Sequence, residues 1–546
     1  MHRNPDFVII AQSECVNYSQ YSKLPIDRLP LFQHLVYPRM VRYEGMFLSH
    51  LDLLNRLLGN PSFRNPDLEK RAKLFNIWNL PSFSGIHLAN YLFNEGITTY
   101  VVNNFDVDWY HFKNKYILHD RFLIGVSTTF YLNWVEIKRI VSVIKRQMPS
   151  ADIVLGGAFI YEQKRTVGTE ALARLMLKYG IKYALHAVNS EEDLKNLILW
   201  HNNGAKNSPP VSNLIMTDVR DGSFFGTKEE WHKPQVDCPA HYHELDFHFL
   251  NKTIQIRASA GCCFHCAFCT YPIIARGYYP CSLENLKIQL DSLSKTGKIR
   301  NIIFIDDTLN VPLARFKDFL RLLLQYNFSW FSFLRVQFVD NEAVELMARS
   351  GCQAVYLGIE SASDSILQNM NKKATRSDYI KGVRLLRDYG IHVMAAFIVG
   401  FPGETAKSIA ESIDFICTSG IDFYTLKEFF LIEGTDIDKQ RATYDLRGLH
   451  NNWEHNTMSS VEAYEHKIAM FKQIGNECLF VDADTSLWSL AYLFDQGFNF
   501  DQIATIQKNT NRIINDQING DFDDHHPSFD NIRNILKIKS GSKCQQ

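Results

Sequence analysis

The chain has 546 residues, of which 46% are hydrophobic and 21% are charged, and its formal net charge is −1. This length predicts about three domains with sizeable apolar cores. Because the charges almost cancel, there is no overall positive field, and no nucleic-acid partner is expected. No apolar run reaches the ~18 residues of a membrane-spanning helix, and the N-terminus lacks a signal-peptide core. We therefore expect a cytoplasmic protein with no membrane partner.

Apolar runs alternate with amphipathic segments over residues 1–200. The predicted strands are 6–11, 98–105, 122–128 and 151–157, and the clearest predicted helices are 85–96 and 134–149. Such alternation favours a parallel, doubly wound sheet. The first 200 residues are therefore predicted to form a Rossmann-like α/β domain.

Asn, Ser, Pro and Gly are frequent just after residue 200, so residues 201–250 are predicted to be a linker. Strands and helices alternate again over 251–450. The predicted strands there are 254–259, 301–306, 330–338, 354–360, 393–401 and 423–431. This pattern indicates a partial or full parallel (β/α) barrel. Residues 451–546 are predicted to be mainly helical, with a polar tail over the last 25 residues.

Four of the eleven cysteines lie within eight residues, and Cys262, Cys266 and Cys269 have the spacing C-x3-C-x2-C. Three thiolates on a short loop can bind three irons of a cubane cluster and leave the fourth iron open. An open iron can chelate a cofactor and pass one electron into a sulfonium, which breaks a carbon–sulfur bond. A fourth thiolate would close that iron, so Cys263 is interpreted as a non-ligand. A structural zinc site is the weaker alternative, because no second cysteine pair follows.

The cysteine triplet and three later motifs resemble, in the same order, the radical S-adenosylmethionine (SAM) superfamily. The later motifs are FIDDTLN (304–310), AVYLGIESAS (354–363) and AAFIVGFPGET (395–405). The resemblance implies a 4Fe–4S cluster on the triplet with SAM on its open iron, and an electron donor such as flavodoxin or ferredoxin. It also implies cofactor-binding roles for Phe268, Asp306, Arg335, Glu360, Ser361 and Gly400.

The segment from FLIGVSTTFYLNW to PSADIVLGGAF resembles the cobalamin-binding domain that precedes many radical SAM cores. Hydroxyls and close-approach glycines at the carboxyl ends of two predicted strands are the implied cofactor-binding residues. They are Ser127, Thr128, Thr129, Gly156 and Gly157. The D-x-H-x-x-G motif, whose histidine ligates cobalt, is absent from the first strand–helix junction. Cobalamin binding and a cofactor-free domain therefore both stay open.

Two radical reactions are compatible with these motifs. One is cobalamin-dependent methyl transfer to an unactivated position of a peptide or natural-product metabolite. VSTTFYLNW, LKEFFLIEGT and NWEHNTM support it by resembling a subgroup related to P-methyltransferases. The other is a cobalamin-independent peptide epimerase, in which Cys478 or Cys417 returns a hydrogen atom. Glu428, at a strand end near the expected barrel mouth, is the carboxylate predicted to reach the substrate.

Overall fold

The structure is a computed structural model, and it describes residues 4–14, 39–59, 74–116, 122–131, 133–482 and 486–542. The chain forms two compact units. Unit 1 comprises Met1–Asn17, Trp78–Gln255 and Tyr279–Ile299, and unit 2 comprises Tyr18–Ile77, Ile256–Tyr278 and Arg300–Gln546. None of the described helices combines the length and the hydropathy needed to span a bilayer.

A seven-stranded sheet forms the centre of unit 1. Its strands are β1 (Phe7–Gln12), β2 (Thr99–Asn104), β3 (Leu123–Ser127), β4 (Asp152–Gly156), β5 (Tyr183–Leu185), β6 (Leu214–Asp218) and β7 (Ser223–Gly226). They lie in the order β2-β1-β3-β4-β5-β6-β7, and the first five are parallel while β6 and β7 are antiparallel additions. The helices of unit 1 are Phe83–Asn94, Phe105–Lys115, Trp134–Gln147, Ala158–Tyr179, Glu191–Asn202 and Leu283–Lys295.

The parallel Rossmann-like sheet is as predicted, because buried apolar strands and amphipathic helices alternate along this part of the chain. The boundaries differ from the prediction. Strands β6 and β7 lie inside residues 201–250, which were expected to be a linker. The hairpin Val41–Tyr43/Met46–Leu48 and the helix His50–Leu57 belong to unit 2 although they precede most of unit 1 in the chain.

Unit 2 contains a second seven-stranded sheet. Its strands are β8 (Thr253–Ile256, in which the chain passes from unit 1 to unit 2), β9 (Asn301–Phe304), β10 (Ser329–Leu334), β11 (Cys352–Glu360), β12 (His392–Val399), β13 (Phe423–Glu428) and β14 (Leu479–Phe480). They lie in chain order, and all pairs from β9 to β14 are parallel. This arrangement confirms the predicted barrel-like α/β core.

Helices cover the sheet of unit 2 and form its C-terminal region. They are His50–Leu57, Tyr271–Ala275, Leu313–Leu323, Asn341–Arg349, Asp364–Asn369, Arg376–Asp388, Ala406–Thr418, Arg441–Tyr444, Ser460–Ile474, Leu487–Asp495, Phe500–Ile518 and Pro527–Ser542. Shorter elements are the 3-10 turns Ile77–Asn79, Val336–Phe338 and Asp438–Gln440, and the strands Ser259–Gly261, Tyr278–Pro280, Arg447–Leu449, Asn452–His455 and Met458–Ser459. The expected polar tail is wrong for Pro527–Ser542, because that helix buries Phe529, Ile532 and Leu536.

Side chains alternate between the two faces of the unit 2 sheet. On the outer face, Phe304 contacts Phe319 of the helix Leu313–Leu323, with ring centroids 5.1 Å apart. On the opposite, inner face, Phe331 contacts Phe494 at 5.7 Å and Phe333 contacts Trp488 at 5.3 Å. The helix Leu487–Asp495 therefore covers part of the inner face.

Candidate active site

The cysteine loop follows the short strand Ser259–Gly261. Gly261 has a φ of 76°, and a Cβ atom at this position would lie 2.0 Å from the carbonyl oxygen of Gly277. Only glycine fits both the left-handed backbone and this close approach. The loop is then held by hydrogen bonds from Cys269 N to Cys266 O at 3.0 Å and from Ala267 N to Met370 O at 2.9 Å.

The three predicted ligand thiols share one environment. Burial, together with the nearby Cys266 and Cys262 thiols, raises the pKa of the Cys269 thiol to about 11. Cys262 Sγ lies 3.1 Å from Thr308 Oγ1, and Arg335 Nη2 lies 3.6 Å from Cys266 Sγ. The neighbouring Cys263 is exposed.

This donor set fits an iron–sulfur cluster with one open iron. Within the described ranges, no three His, Cys, Asp or Glu side chains converge closely enough to hold a single metal ion. A cubane cluster does not require such convergence, because each thiolate binds a different iron. The three thiols therefore stay the predicted ligand set, and the exposed Cys263 stays a predicted non-ligand.

Two consecutive aspartates hold the segment before the cysteine loop by hydrogen bonds. Asp306 is buried and accepts hydrogen bonds from Ala258 N at 3.0 Å and Ser259 Oγ at 2.6 Å. Asp307 accepts from Gly261 N at 3.0 Å, and burial raises its pKa to about 6. Both carboxylate oxygens of Asp306 thus accept hydrogen bonds from the protein itself, and these bonds orient the start of the cysteine loop.

Charged side chains gather at the carboxyl end of β11. Glu360 adopts a φ of 66°, and its Oε1 lies 3.2 Å from Nζ of the buried Lys372. This Nζ is also 5.7 Å from the centroid of the Phe268 ring. The structure thus brings the predicted Glu360 and Phe268 together through a lysine that the sequence did not single out. Lys372 stands in a polar, lysine-containing loop with no distinctive spacing, so no sequence signal identified it.

Arg335 extends between this pair and the cysteine loop. Its guanidinium lies 3.8 Å from the centroid of the Phe264 ring and donates to Lys372 O. Its Nε is buried and has no hydrogen-bond partner among the described residues. A buried donor without a partner carries a desolvation cost that a bound ligand can remove. Ser361, by contrast, is buried and accepts from Ser363 N at 3.2 Å.

The turn after β12 carries Gly400, with a φ of 90°. A Cβ atom there would lie 2.5 Å from the Trp453 ring and 2.6 Å from Ala463 Cβ. Gly400 N donates to Glu404 Oε2 at 2.6 Å, and its carbonyl lies 3.1 Å from His455 Nε2. Next to it, Phe401 contacts Phe268 at 6.3 Å between ring centroids. The turn that carries Gly400 is therefore linked to Phe268 through the neighbouring Phe401 ring.

Glu404 gives this turn a pH dependence. Burial raises its pKa from 4.5 to about 7, so the native protein holds a proton there that the unfolded chain has released between these two values. Native stability relative to a Glu404→Gln variant should therefore fall as pH rises through this window, by about 3 kcal/mol in all. Urea unfolding of both proteins from about pH 4 to about pH 8 measures it. The exposed Glu477→Gln variant should follow the wild type, and parallel wild-type and Glu404→Gln profiles would contradict the assignment.

The structure does not bring Glu428 and Cys478 to the cysteine loop. Glu428 ends β13 but lies in an ion cluster, 3.0 Å from the buried Lys467 Nζ and 3.1 Å from Arg39 Nη2. Although burial opposes it, these cations lower the pKa of Glu428. Cys478 is buried at the start of β14, with Sγ 3.5 Å from Ile421 O, at the amino ends of the strands. The alternative donor Cys417 lies on the covering helix Ala406–Thr418.

In unit 1 the five predicted residues lie at the carboxyl ends of β3 and β4. Thr128 N donates to Gly156 O at 2.7 Å, and Ser127 Oγ lies 3.2 Å from Thr129 Oγ1. Gly157 has a φ of 105°, and a Cβ atom there would lie 3.0 Å from Thr129 N. These residues lie together at one edge of the unit 1 sheet, and we call them the unit 1 cradle. Thr129 is exposed and Ser127 is half-buried, whereas Thr128 is buried and donates its hydroxyl to Gly156 O at 2.8 Å. The Ser127 and Thr129 hydroxyls and the glycine backbone fit the close approach of a large ligand.

Residues 256–416 match the family model of the radical SAM superfamily, so the chain carries a radical SAM domain. It is 32% identical over 171 residues to an uncharacterized methyltransferase of Pyrococcus horikoshii, covering 31% of this chain and 37% of that protein. It is 29% identical over 180 residues to the bacteriochlorophyllide d C-12(1)-methyltransferase of Chlorobaculum tepidum, covering 32% and 39%. The matches thus span about two fifths of these relatives' lengths.

Two solved structures share the fold over most of this chain. One is the radical SAM methyltransferase TsrM from Kitasatospora setae with cobalamin and a 4Fe–4S cluster bound, at 18% identity and a TM-score of 0.51, covering 81% of this chain and 78% of that one. The other is the cobalamin-dependent radical SAM enzyme OxsB with aqua-cobalamin bound, at 16% identity and a TM-score of 0.51, covering 80% and 55%. These likenesses confirm the predicted α/β architecture.

Proposed function

We propose that this radical SAM chain is a cobalamin-dependent methyltransferase that acts on an unactivated position of a peptide or small metabolite. The observation that carries the proposal is the presence, in one chain, of the three-thiol loop of unit 2 and the unit 1 cradle. The names of the relatives support it, because the matched proteins include methyltransferases, and the TsrM and OxsB structures hold cobalamin.

The residues of unit 2 have distinct tasks in this proposal. Cys262, Cys266 and Cys269 hold the cluster, while the orphan Nε of Arg335 offers a donor to a charged group of SAM. Glu360 offers a carboxylate whose position is fixed by Lys372. Charged groups at a largely buried site act strongly because little water screens them.

Aromatic and backbone groups complete the cofactor site. Phe268 offers a flat face to the adenine ring, and the Gly400 turn supports this face through the Phe401 ring. The unit 1 cradle binds cobalamin through the Ser127 and Thr129 hydroxyls and the Gly157 backbone. When bound, the cluster and SAM supply a hydrogen-abstracting radical, and cobalamin supplies a transferable methyl group. A one-electron donor such as flavodoxin or ferredoxin is the proposed protein partner.

Anaerobic reconstitution with iron, sulfide and hydroxocobalamin tests the proposal. The wild type should retain about four irons per chain, together with one cobalamin, and should form 5′-deoxyadenosine from SAM with dithionite. Gly157→Ala should lose about tenfold or more in cobalamin affinity, because its Cβ would press against Thr129 N and Thr128 N and displace the turn that carries the proposed ligand-binding hydroxyls.

The matched control is Gly204→Ala, since Gly204 has a φ of 87° and a Cβ atom there would have nothing within 4 Å. It should retain cobalamin as the wild type does, and Gly157→Ala should retain its iron. Iron without cobalamin in the wild type would overturn the methyl-transfer proposal. Absence of 5′-deoxyadenosine would overturn radical chemistry altogether.

A further inference from the structure

The inner face of the unit 2 sheet presents a group of aromatic rings. Phe333 of β10 lies 5.2 Å from Tyr356 of β11 and 5.3 Å from Trp488, measured between ring centroids. Phe333 and Tyr356 are register partners, so both project from the same face. All three rings are only partly buried. This aromatic wall suits a flat, apolar body.

Two polar side chains stand on the same face two strands further along the sheet. Thr425 and Lys427 of β13 pair in register with Ala396 and Ile398 of β12, and Ala396 in turn pairs with Gly358 of β11. Tyr424 projects the other way, where it contacts Phe480 at 5.3 Å. Because side chains alternate along a strand, Thr425 and Lys427 belong to the inner face.

Thr425 has a hydroxyl without a partner. The residue is 3% exposed, and its Oγ1 has no hydrogen-bond partner within the part of the chain that the structure describes. A buried hydroxyl in this state costs free energy unless a ligand pairs with it. This orphan group lies two residues before Lys427, on the same face.

Lys427 is the second polar residue of this face, and its side chain reaches solvent. Its side chain is 46% exposed, and Nζ pairs with Asp482. The Asp482 carboxylate is also bound by Arg39 Nε at 3.2 Å and lies 3.4 Å from Lys467 Nζ. Arg39 and Lys467 pair with both Asp482 and Glu428, so two cations balance two carboxylates without Lys427. Lys427 can therefore bind a second anion without leaving a buried carboxylate unpaired. Asp482 then fixes the direction of the lysine.

We infer that Thr425 and Lys427 bind an anionic group of the substrate, a carboxylate or a phosphate, while the aromatic wall holds the flat apolar body that carries it. This inference rests on the proposed function and names the substrate class. The polar pair Thr425 and Lys427 is separate from the Glu360–Lys372 pair, because β12 lies between β11 and β13. Strand β11 carries both Glu360 at its end and Tyr356 of the aromatic wall, whereas β13 contributes the anion-binding side chains.

Calorimetric titration of the reconstituted holoenzyme with benzoate, phenyl phosphate and the neutral benzamide tests the inference. The wild type should bind at least one of the two anions. Its affinity for benzamide should be lower by about tenfold or more. Lys427→Met should weaken anion binding by about tenfold or more, and Lys427→Arg should restore most of it. Thr425→Val should weaken it by about threefold or more, since it removes only the hydroxyl.

Lys381→Met is the matched control, because Lys381 is exposed on the covering helix Arg376–Asp388. It should bind the anions as the wild type does. Tighter binding of benzoate assigns the site to carboxylates, and tighter binding of phenyl phosphate assigns it to phosphates. The inference is overturned if the wild type binds neither anion, if benzamide binds equally well, or if Lys427→Met binds like the wild type.

Cleavage of SAM with dithionite, measured on the same wild-type preparation, separates the two proposals. Cleavage without anion binding overturns the substrate assignment and leaves the proposed function standing. Anion binding without cleavage of SAM overturns the proposed function and leaves the anion-binding site standing.

Discussion

Replacing Cys262, Cys266 or Cys269 by alanine is expected to abolish stable cluster binding and the formation of 5′-deoxyadenosine. In the proposed cluster site each thiol is the single link between the protein and one iron, and a cluster held by two ligands is exposed to loss of iron. Changes to outer partners of a metal site already cost 10–100-fold in affinity or activity, so the loss should exceed about 100-fold. Iron and sulfide quantification, with product analysis after dithionite reduction, measures both effects.

Cys263→Ala is the matched control for this series. Cys263 adjoins Cys262 but is exposed. The variant should assemble the cluster and cleave SAM like the wild type. Loss of iron in Cys263→Ala, or normal iron content in any of the three ligand variants, would contradict the ligand assignment.

Gly261→Ala is expected to damage the same site through the backbone. The new Cβ would lie 2.0 Å from Gly277 O and 2.9 Å from Ala275 Cβ, and a backbone oxygen cannot rotate away. Overpacking of this kind costs about 1–3 kcal/mol or more, in addition to about 1–2 kcal/mol for a left-handed alanine. The free energy of unfolding should fall by about 3 kcal/mol or more, and the displaced loop should take up less iron. Urea unfolding and iron quantification measure these effects.

Gly420→Ala separates the overlap from the backbone conformation. Gly420 has a φ of 84°, yet a Cβ atom there would have nothing within 4 Å. This variant should lose only about 1–2 kcal/mol and should assemble the cluster normally. Equal losses in the two variants would show that the approach to Gly277 has no importance.

The cysteine spacing and the alternation of strands and helices could be recognised in the sequence, because both depend on residues that are close along the chain. Three thiols within eight residues remain close in any compact loop. The range that matches the radical SAM family, 256–416, contains all three. Buried apolar strands separated by amphipathic helices favour parallel sheets, and both large sheets are mainly parallel. Glycine at 261 and 400 carried a further signal, since both positions need a positive φ.

The face of the sheet from which a side chain projects could not be predicted as well from the sequence. Glu428 lies at the end of β13, as expected, but it faces the covering helix Ser460–Ile474, where Lys467 pairs with it. Its neighbour Lys427 belongs to the inner face. A shift of one residue exchanges the two faces of a strand, and an isolated strand end in the sequence does not reveal which face is which.

Sequence alone determined the two α/β sheets and the glycine turns and predicted the cysteine triplet as the iron ligands, because short-range spacing and periodicity dictate these features. Only the tertiary structure decided which distant side chains meet. It joined Lys372 to Glu360, brought Arg39 and Asp482 to the end of β13, and placed Cys478 at the strand ends opposite the cysteine loop. Such contacts depend on strand order and on the face from which each side chain projects, and both are fixed only when the whole sheet is assembled.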